Sequence, residues 1–233
     1  AGLFLSFGHD QISDQGRGQD AGHFCFLLDQ VDCLAPAAGK GWRAVNTDTG
    51  AVSQTLENAF RLHRGEPGRP AAYAELDRAT ILVLGTGGAA RAALRAAARA
   101  GASLLVAGRR LEAATALAEE FGGQAVAWND VATVEYDALV NCTPVGSMAN
   151  EGESPIPVDV LRPKTVVLDA VYRPLRTPLL EAAQGSGCTA VPGAEWFVRQ
   201  AQEQFQQMIG QPADAELMRA AFDHALNEVV PED

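Results

Sequence analysis

Lysine is almost absent from this 233-residue chain: Lys40 and Lys164 are the only two, and arginine supplies the rest of the 18 basic side chains. Any chemistry that needs an ammonium group therefore has two candidates. Cysteine is also scarce. Cys25, Cys33, Cys142 and Cys188 form neither a C-x-x-C pair nor a Cys/His ligand spacing, which argues against a metal site and makes reduced thiols the expectation. No apolar run is long enough to span a bilayer, and no leader pattern is visible. Positive charge is in deficit, with 29 acidic residues and a net charge of −11, which disfavours nucleic acid or an anionic membrane as partner. The expectation is a soluble cytoplasmic protein without a metal. The chain starts at Ala1, inside an apolar segment and without Met, so it is expected to be a piece of something longer.

A hydrophobic content of 47% is enough for a substantial core. The most informative stretch is Ile81-Leu82-Val83-Leu84 running into Gly85-Thr86-Gly87-Gly88-Ala89-Ala90-Arg91. Four β-formers, a glycine-rich turn and an Ala/Leu/Arg helix form the layout that sets a pyrophosphate on a helix N-terminus. Gly85 allows the tight turn, Gly87 lets the backbone approach phosphate, and Ala90 keeps helix and strand close. Gly85, Gly87, Gly88 and Ala89 are the candidate cofactor-binding residues of this loop. After a helix that stops at Gly101, Leu104–Ala107 reads as a second strand and ends in Gly108-Arg109-Arg110. A site for NAD usually carries a carboxylate here for the ribose hydroxyl. Two guanidiniums suit the 2′-phosphate of NADP instead, and the alternative is a pair of solvated arginines.

From Thr80 to Pro192 the pattern alternates: strands at 81–84, 104–107, 124–128, 137–141, 165–169 and 188–191, with helices at 88–100, 111–121 and 177–184. Such interleaving predicts a doubly wound parallel sheet. Residues 1 to about 45 read as irregular. A helix is expected over 50–63 from Val52, Leu56, Phe60 and Leu62, and two more over 194–228, split at Gly210-Gln211-Pro212.

Five ordered strings resemble the shikimate dehydrogenase family over about residue 44 to the C-terminus. They are Val45-Asn46-Thr47-Asp48-Thr49-Gly50, the glycine loop, Asn141-Cys142-Thr143-Pro144-Val145-Gly146, Asp169 to Leu180 with Tyr172, and Gly193-Ala-Glu-Trp196-Phe197-Val-Arg-Gln200. The resemblance implies NADP-dependent interconversion of 3-dehydroshikimate and shikimate. It implies a Rossmann-type α/β fold with an incomplete N-terminal α/β substrate domain, to which the C-terminal helices return. Residues 1–50 would be the remnant of that domain, 51–79 a linker helix and loop, 80–193 the Rossmann domain and 194–233 the returning helices. It implies Asp48 as half of a catalytic Lys/Asp pair, and Tyr172 and Gln200 as substrate contacts. Asn141, Thr143, Gly146 and Gly193 would lie along the cofactor, Arg109 would hold the 2′-phosphate with Arg110 as a second contact, and Trp196 and Phe197 would cover the nicotinamide pocket. Bland readings stay open: Asn46-Thr47-Asp48 as a helix cap, Tyr172 as packing and Gln200 as a solvated helix residue.

The N-terminus departs from the family. The strand that supplies the family's lysine aligns with Gly2 to Asp10, placing Asp10 at the lysine, and the family's substrate-binding asparagine aligns with Asp32 in Val31-Asp32-Cys33-Leu34. A ketone being reduced gathers negative charge that an ammonium stabilises and a carboxylate repels. The alternatives are therefore a catalytically impaired NADP-binding domain of a larger polypeptide and, third, a dehydrogenase of quinate or another polyol acid. A curtailed first domain would be completed by a homodimer or by a missing N-terminal segment.

Overall fold

The computed structural model describes residues 32–36, 42–64 and 76–228. A six-stranded, wholly parallel sheet occupies the centre, in the order β5-β4-β3-β6-β7-β8. Its strands are β3 (Thr80–Leu84), β4 (Ser103–Ala107), β5 (Gln124–Val126), β6 (Ala138–Asn141), β7 (Val166–Asp169) and β8 (Thr189–Val191). The chain winds outward from β3 to β5, then returns to β6 on the other side of β3. The doubly wound sheet expected from the alternating pattern is thus present.

The central strands are continuous apolar runs because helices cover both faces. Odd and even positions part cleanly between two cores. Ile81, Val83, Val140 and Leu168 face one layer. Leu82, Leu84, Leu139 and Val167 face the other. The first layer holds α1 (Asp48–Arg64), α2 (Gly88–Arg99) and α3 (Leu111–Phe121), through Val52, Leu56 and Phe60 of α1, a row of alanines in α2 and Leu117 of α3. The second holds α4 (Pro178–Gly185), through Leu179 and Ala183. Ala90, Ala92, Ala93, Ala96 and Ala97 of α2 are buried and let the helix lie close on the sheet. It ends where the amides of Gly101 and Ala102 turn back onto the carbonyls of Ala98 and Ala97, as its glycine stop predicted.

Two expectations need correction. The stretch before residue 45 is not wholly irregular: β1 (Cys33–Pro36) pairs antiparallel with β2 (Trp42–Val45). Four-residue strands are too short to show a period in the sequence, and only Cys33 and Ala35 mark the buried face. The strand expected over 124–128 ends at Val126, because Trp128–Asp130 form a 3-10 turn closed by the Asp130 amide on the Ala127 carbonyl.

Two helices complete the described chain, α5 (Gly193–Ile209) and α6 (Ala215–Glu228). α5 packs along α1 and reaches β1. Its first residue sits directly on the end of β7: a Cβ at Gly193 would fall 2.6 Å from the carbonyl oxygens of Asp169, Ala170 and Val171. Three main-chain oxygens cannot swing aside. Gly193→Ala should therefore cost about 3 kcal/mol or more, whereas Gly88→Ala, with nothing within 4 Å of its Cβ, should be neutral or slightly stabilising. Thermal unfolding of both variants followed by circular dichroism checks the contrast.

Candidate active site

The carboxyl ends of β3, β4, β6 and β7 share one edge of the sheet, and between β3 and β6 the winding reverses, leaving a crevice there. The glycine loop fills its floor. The Gly85 amide donates to the Ala107 carbonyl at 2.8 Å, and that of Cys142 to the Leu84 carbonyl at 2.8 Å. Gly85 takes φ +111°, and a Cβ there would meet the Cys142 carbonyl oxygen at 3.0 Å. α2 starts after Gly87 with no side chain capping its first turn, and both Gly87 and Gly88 look onto open space. A helix start with uncapped amides and room above it fits a pyrophosphate. Gly108 abuts Thr86, so the end of β4 lies beside the loop. Arg109 and Arg110 follow it, exposed and without an ion pair among the described residues. Arg91, by contrast, is tied to Glu120.

On the other side of the crevice stands a buried polar chain. The Asn141 amide group donates to Asp169 Oδ1 at 2.8 Å, the Thr177 hydroxyl to Asp169 Oδ2 at 2.6 Å and the Val171 amide to Oδ1 at 3.1 Å. Asn141 Oδ1 in turn accepts the amide (3.0 Å) and hydroxyl (2.7 Å) of Thr143, and Thr177 caps α4 through the Leu180 amide. Asn141, Asp169 and Thr177 have no exposed surface. Burial raises the Asp169 carboxyl pKa, against the pull of those three donors. Gly146 closes the Asn141 loop with φ +92° near Thr177.

Asp48 opens α1 at the same end of the molecule. The helix begins two residues earlier than expected, because Asn46 Oδ1 takes the Thr49 amide at 2.8 Å while Asp32 takes those of Thr47 and Asp48. The capping reading of Asn46-Thr47-Asp48 holds in this form. Desolvation first, and the Asp32 carboxylate second, push Asp48 up to about 7; the Trp196 indole opposes this more weakly. That indole N–H makes no hydrogen bond of ordinary geometry. Trp196 is 5% exposed and belongs to the larger core. Gln200 brings its amide group to 3.5 Å from Asp32, and one helical turn on, Glu203 lies over Gly50.

Tyr172, 41% exposed, stacks on Phe197 at 4.6 Å between ring centroids, and Phe222 of α6 closes the cluster at 5.2 Å from Phe197. Asp10 and Lys40 lie outside the described residues. Lys164 precedes β7 and so stands at the opposite edge of the sheet.

The model of the shikimate/quinate 5-dehydrogenase family matches residues 70–150. A shikimate dehydrogenase (NADP(+)) from Oleidesulfovibrio alaskensis is 36% identical over 209 residues, covering 86% of this chain and 71% of its own length. The chain belongs to the shikimate dehydrogenase family. A bifunctional 3-dehydroquinate dehydratase/shikimate dehydrogenase from Arabidopsis thaliana is 38% identical over 175 residues, which are 74% of this chain and 29% of that protein. A structure of the Thermus thermophilus shikimate 5-dehydrogenase in complex with NADP(H) and shikimate superposes with a TM-score of 0.67 at 31% identity, over 79% of this chain and 64% of that one. The chain thus spans less than two thirds of the length of some of these relatives.

Within this shikimate dehydrogenase fold the glycine loop, Arg109 and Arg110, the Asn141 loop, Gly193 and Tyr172 all gather along one edge, with Asp48 and Gln200 grouped around Asp32. Sequence reasoning did not single out Asp169 or Phe222, and it placed Asp32 only as a departure from pattern. An aspartate ending an all-apolar strand was the available signal for Asp169. Phe222 gave none, since its contact depends on how α6 folds back.

Two consequences can be measured. Asp169→Ala strands the Asn141 amide and the Thr177 hydroxyl in a dry interior, and should lower unfolding free energy in urea by about 3 kcal/mol. Asp48 has a folded-state pKa above its unfolded 3.8, so the folded form holds its proton where the unfolded form has lost it. Stability should therefore fall as pH rises from 4 to 7 and level off above. Asp48→Asn should remove that part of the slope, at most about 4 kcal/mol, in denaturant titrations of both proteins across this range.

Proposed function

We propose that this chain binds NADP and interconverts 3-dehydroshikimate and shikimate. The observation that carries the reading is the meeting, at one sheet edge, of an uncapped glycine-loop helix start and the exposed Arg109 and Arg110 with the Asn141–Asp169 loops. Asp48 lies at the same end of the molecule. Gly85, Gly87, Gly88 and Ala89 would hold the pyrophosphate, and Arg109 with Arg110 the 2′-phosphate. Asn141, Thr143, Gly146 and Gly193 would line the nicotinamide end. When bound, the dinucleotide supplies or accepts the hydride.

The chain's own residues do the rest. Tyr172, braced by Phe197, and Gln200 orient the substrate through hydrogen bonds to its hydroxyl or carboxylate groups. An Asp48 carboxyl with its midpoint near neutrality can give a proton to the ketone oxygen or take one from the hydroxyl. We extend the reading to a cytoplasmic setting and a small-molecule partner. Similarity to proteins named for this activity, and to a structure that contains both ligands, supports the cofactor and substrate of the reading.

Formation of NADPH from NADP+ with shikimate, followed by absorbance, is the test. Turnover is expected with NADP+ and shikimate, and less with NAD+ or with quinate. Arg109→Ala should raise the KM for NADP+ about tenfold or more while leaving that for shikimate nearly unchanged. NADP+ binding by calorimetry without turnover would favour the impaired nucleotide-binding domain instead.

A further inference from the structure

Asp32 receives more hydrogen bonds than any other side chain near Asp48. The antiparallel pairing of Cys33 with Val45, together with the Asp32 amide on the Val45 carbonyl at 3.2 Å, brings residue 32 alongside the entrance to α1. There the Thr47 amide donates to both carboxylate oxygens, at 2.8 and 2.9 Å. The Thr47 hydroxyl donates to Oδ1 at 3.0 Å and the Asp48 amide to Oδ2 at 2.6 Å. Gln200 approaches Oδ2 from α5. A helix cap is normally local, as Asn46 is here for Thr49. Asp32 caps the same turn from the residue before β1, 15 positions away, and a carboxylate is the charge that a helix start favours.

We propose that Asp32 is the positioning residue of this site: its carboxylate locks β1, the first turn of α1 and the Gln200 face of α5 into one arrangement that fixes where Asp48 stands. The position is the one the resemblance assigns to a substrate-binding asparagine. An asparagine offers one acceptor oxygen and no charge, so it would meet only part of this demand. With its lone pairs committed to Thr47 and Asp48, Asp32 acts through Asp48 rather than on substrate.

A second effect follows from the same placement. The groups that face Asp48 are Asp32 beside β1, the Trp196 indole on α5 and the Cys142 thiol after β6. Glu203 of α5 faces Asp32 and Gly50, and Arg43 of β2 is engaged by Gln207 of α5. Burial is the larger cause of the raised Asp48 pKa, and among the described residues Asp32 is the charge that adds to it.

The geometry is testable whether or not shikimate is turned over, which keeps this inference separable from the proposed activity. Amide hydrogen exchange and carbon-detected titration of the Asp48 carboxyl would be recorded on the full chain and on Asp32→Asn and Asp32→Ala. In Asp32→Ala the Thr47 and Asp48 amides should exchange about tenfold faster or more, with Leu82 and Val140 unchanged as the control for an intact sheet. In Asp32→Asn, which keeps one acceptor, protection should be partly retained and the Asp48 midpoint should fall by about one unit. A purely structural cap would not move that midpoint. Should Asp32→Ala fail to fold, Asp32→Asn decides alone. Unchanged protection of Thr47 and Asp48, or an Asp48 midpoint that stays near its wild-type value in Asp32→Asn, would overturn the proposal.

Discussion

Asp169 ends β7 with no exposed surface, and a carboxylate in that position costs several kcal/mol unless its oxygens are met. Asn141, Val171 and Thr177 meet them, the first from the end of β6 and the other two from the two ends of the connection between β7 and α4. Asn141 starts the loop beside the crevice, Val171 precedes Tyr172, and Thr177 caps α4. From the opposite side the carbonyls of residues 169–171 press on the absent side chain of Gly193 and so set the start of α5. The end of this one strand is gripped through both its side chain and its main chain. Two loops and the starts of two helices inherit their positions from it.

Through α5 that constraint reaches the other end of the site. Gln200, Glu203 and Gln207 recur at the spacing of one helical face and meet in turn Asp32, Gly50 and Arg43. The seam that α5 makes with the β1–β2 pair and the first turn of α1 is therefore polar along this row, while the seam between α5 and the sheet is closed by Trp196 in the core. Apolar packing sets how close the helix lies. The polar row sets its register along the hairpin, and with it the height of Gln200 against the first turn of α1.

The parts of this architecture that were legible in the chain are those written locally. Runs of Val, Ile and Leu bounded by glycine marked the strands, and the turn Gly85-Thr86-Gly87-Gly88 marked the crevice before any coordinates. Asp48, Tyr172 and Gln200 could be named because they sit inside ordered strings. The hairpin at 33–45 could not be seen, since two strands of four residues carry too few alternations. Nor could the partner of Thr47: a cap supplied from 15 residues upstream leaves no periodic trace. The stacking of Tyr172 on Phe197 and Phe222 joins three elements far apart in sequence. Such contacts are consequences of the fold, not signals for it.

The shortage of lysine gives these electrostatics their weight. Around Asp48 the described residues set an indole and a second carboxylate, Asp32, at the position that the resemblance gives to an asparagine. Two acids close together do not both ionise easily, so one keeps a proton to higher pH. A carboxyl half-protonated near neutrality is neither a fixed anion that repels a developing alkoxide nor an acid too weak to release its proton. It can serve as donor when a ketone is reduced and as acceptor when a hydroxyl is oxidised. Among the described residues, no standing positive charge beside it is there to hold an anionic oxygen in place.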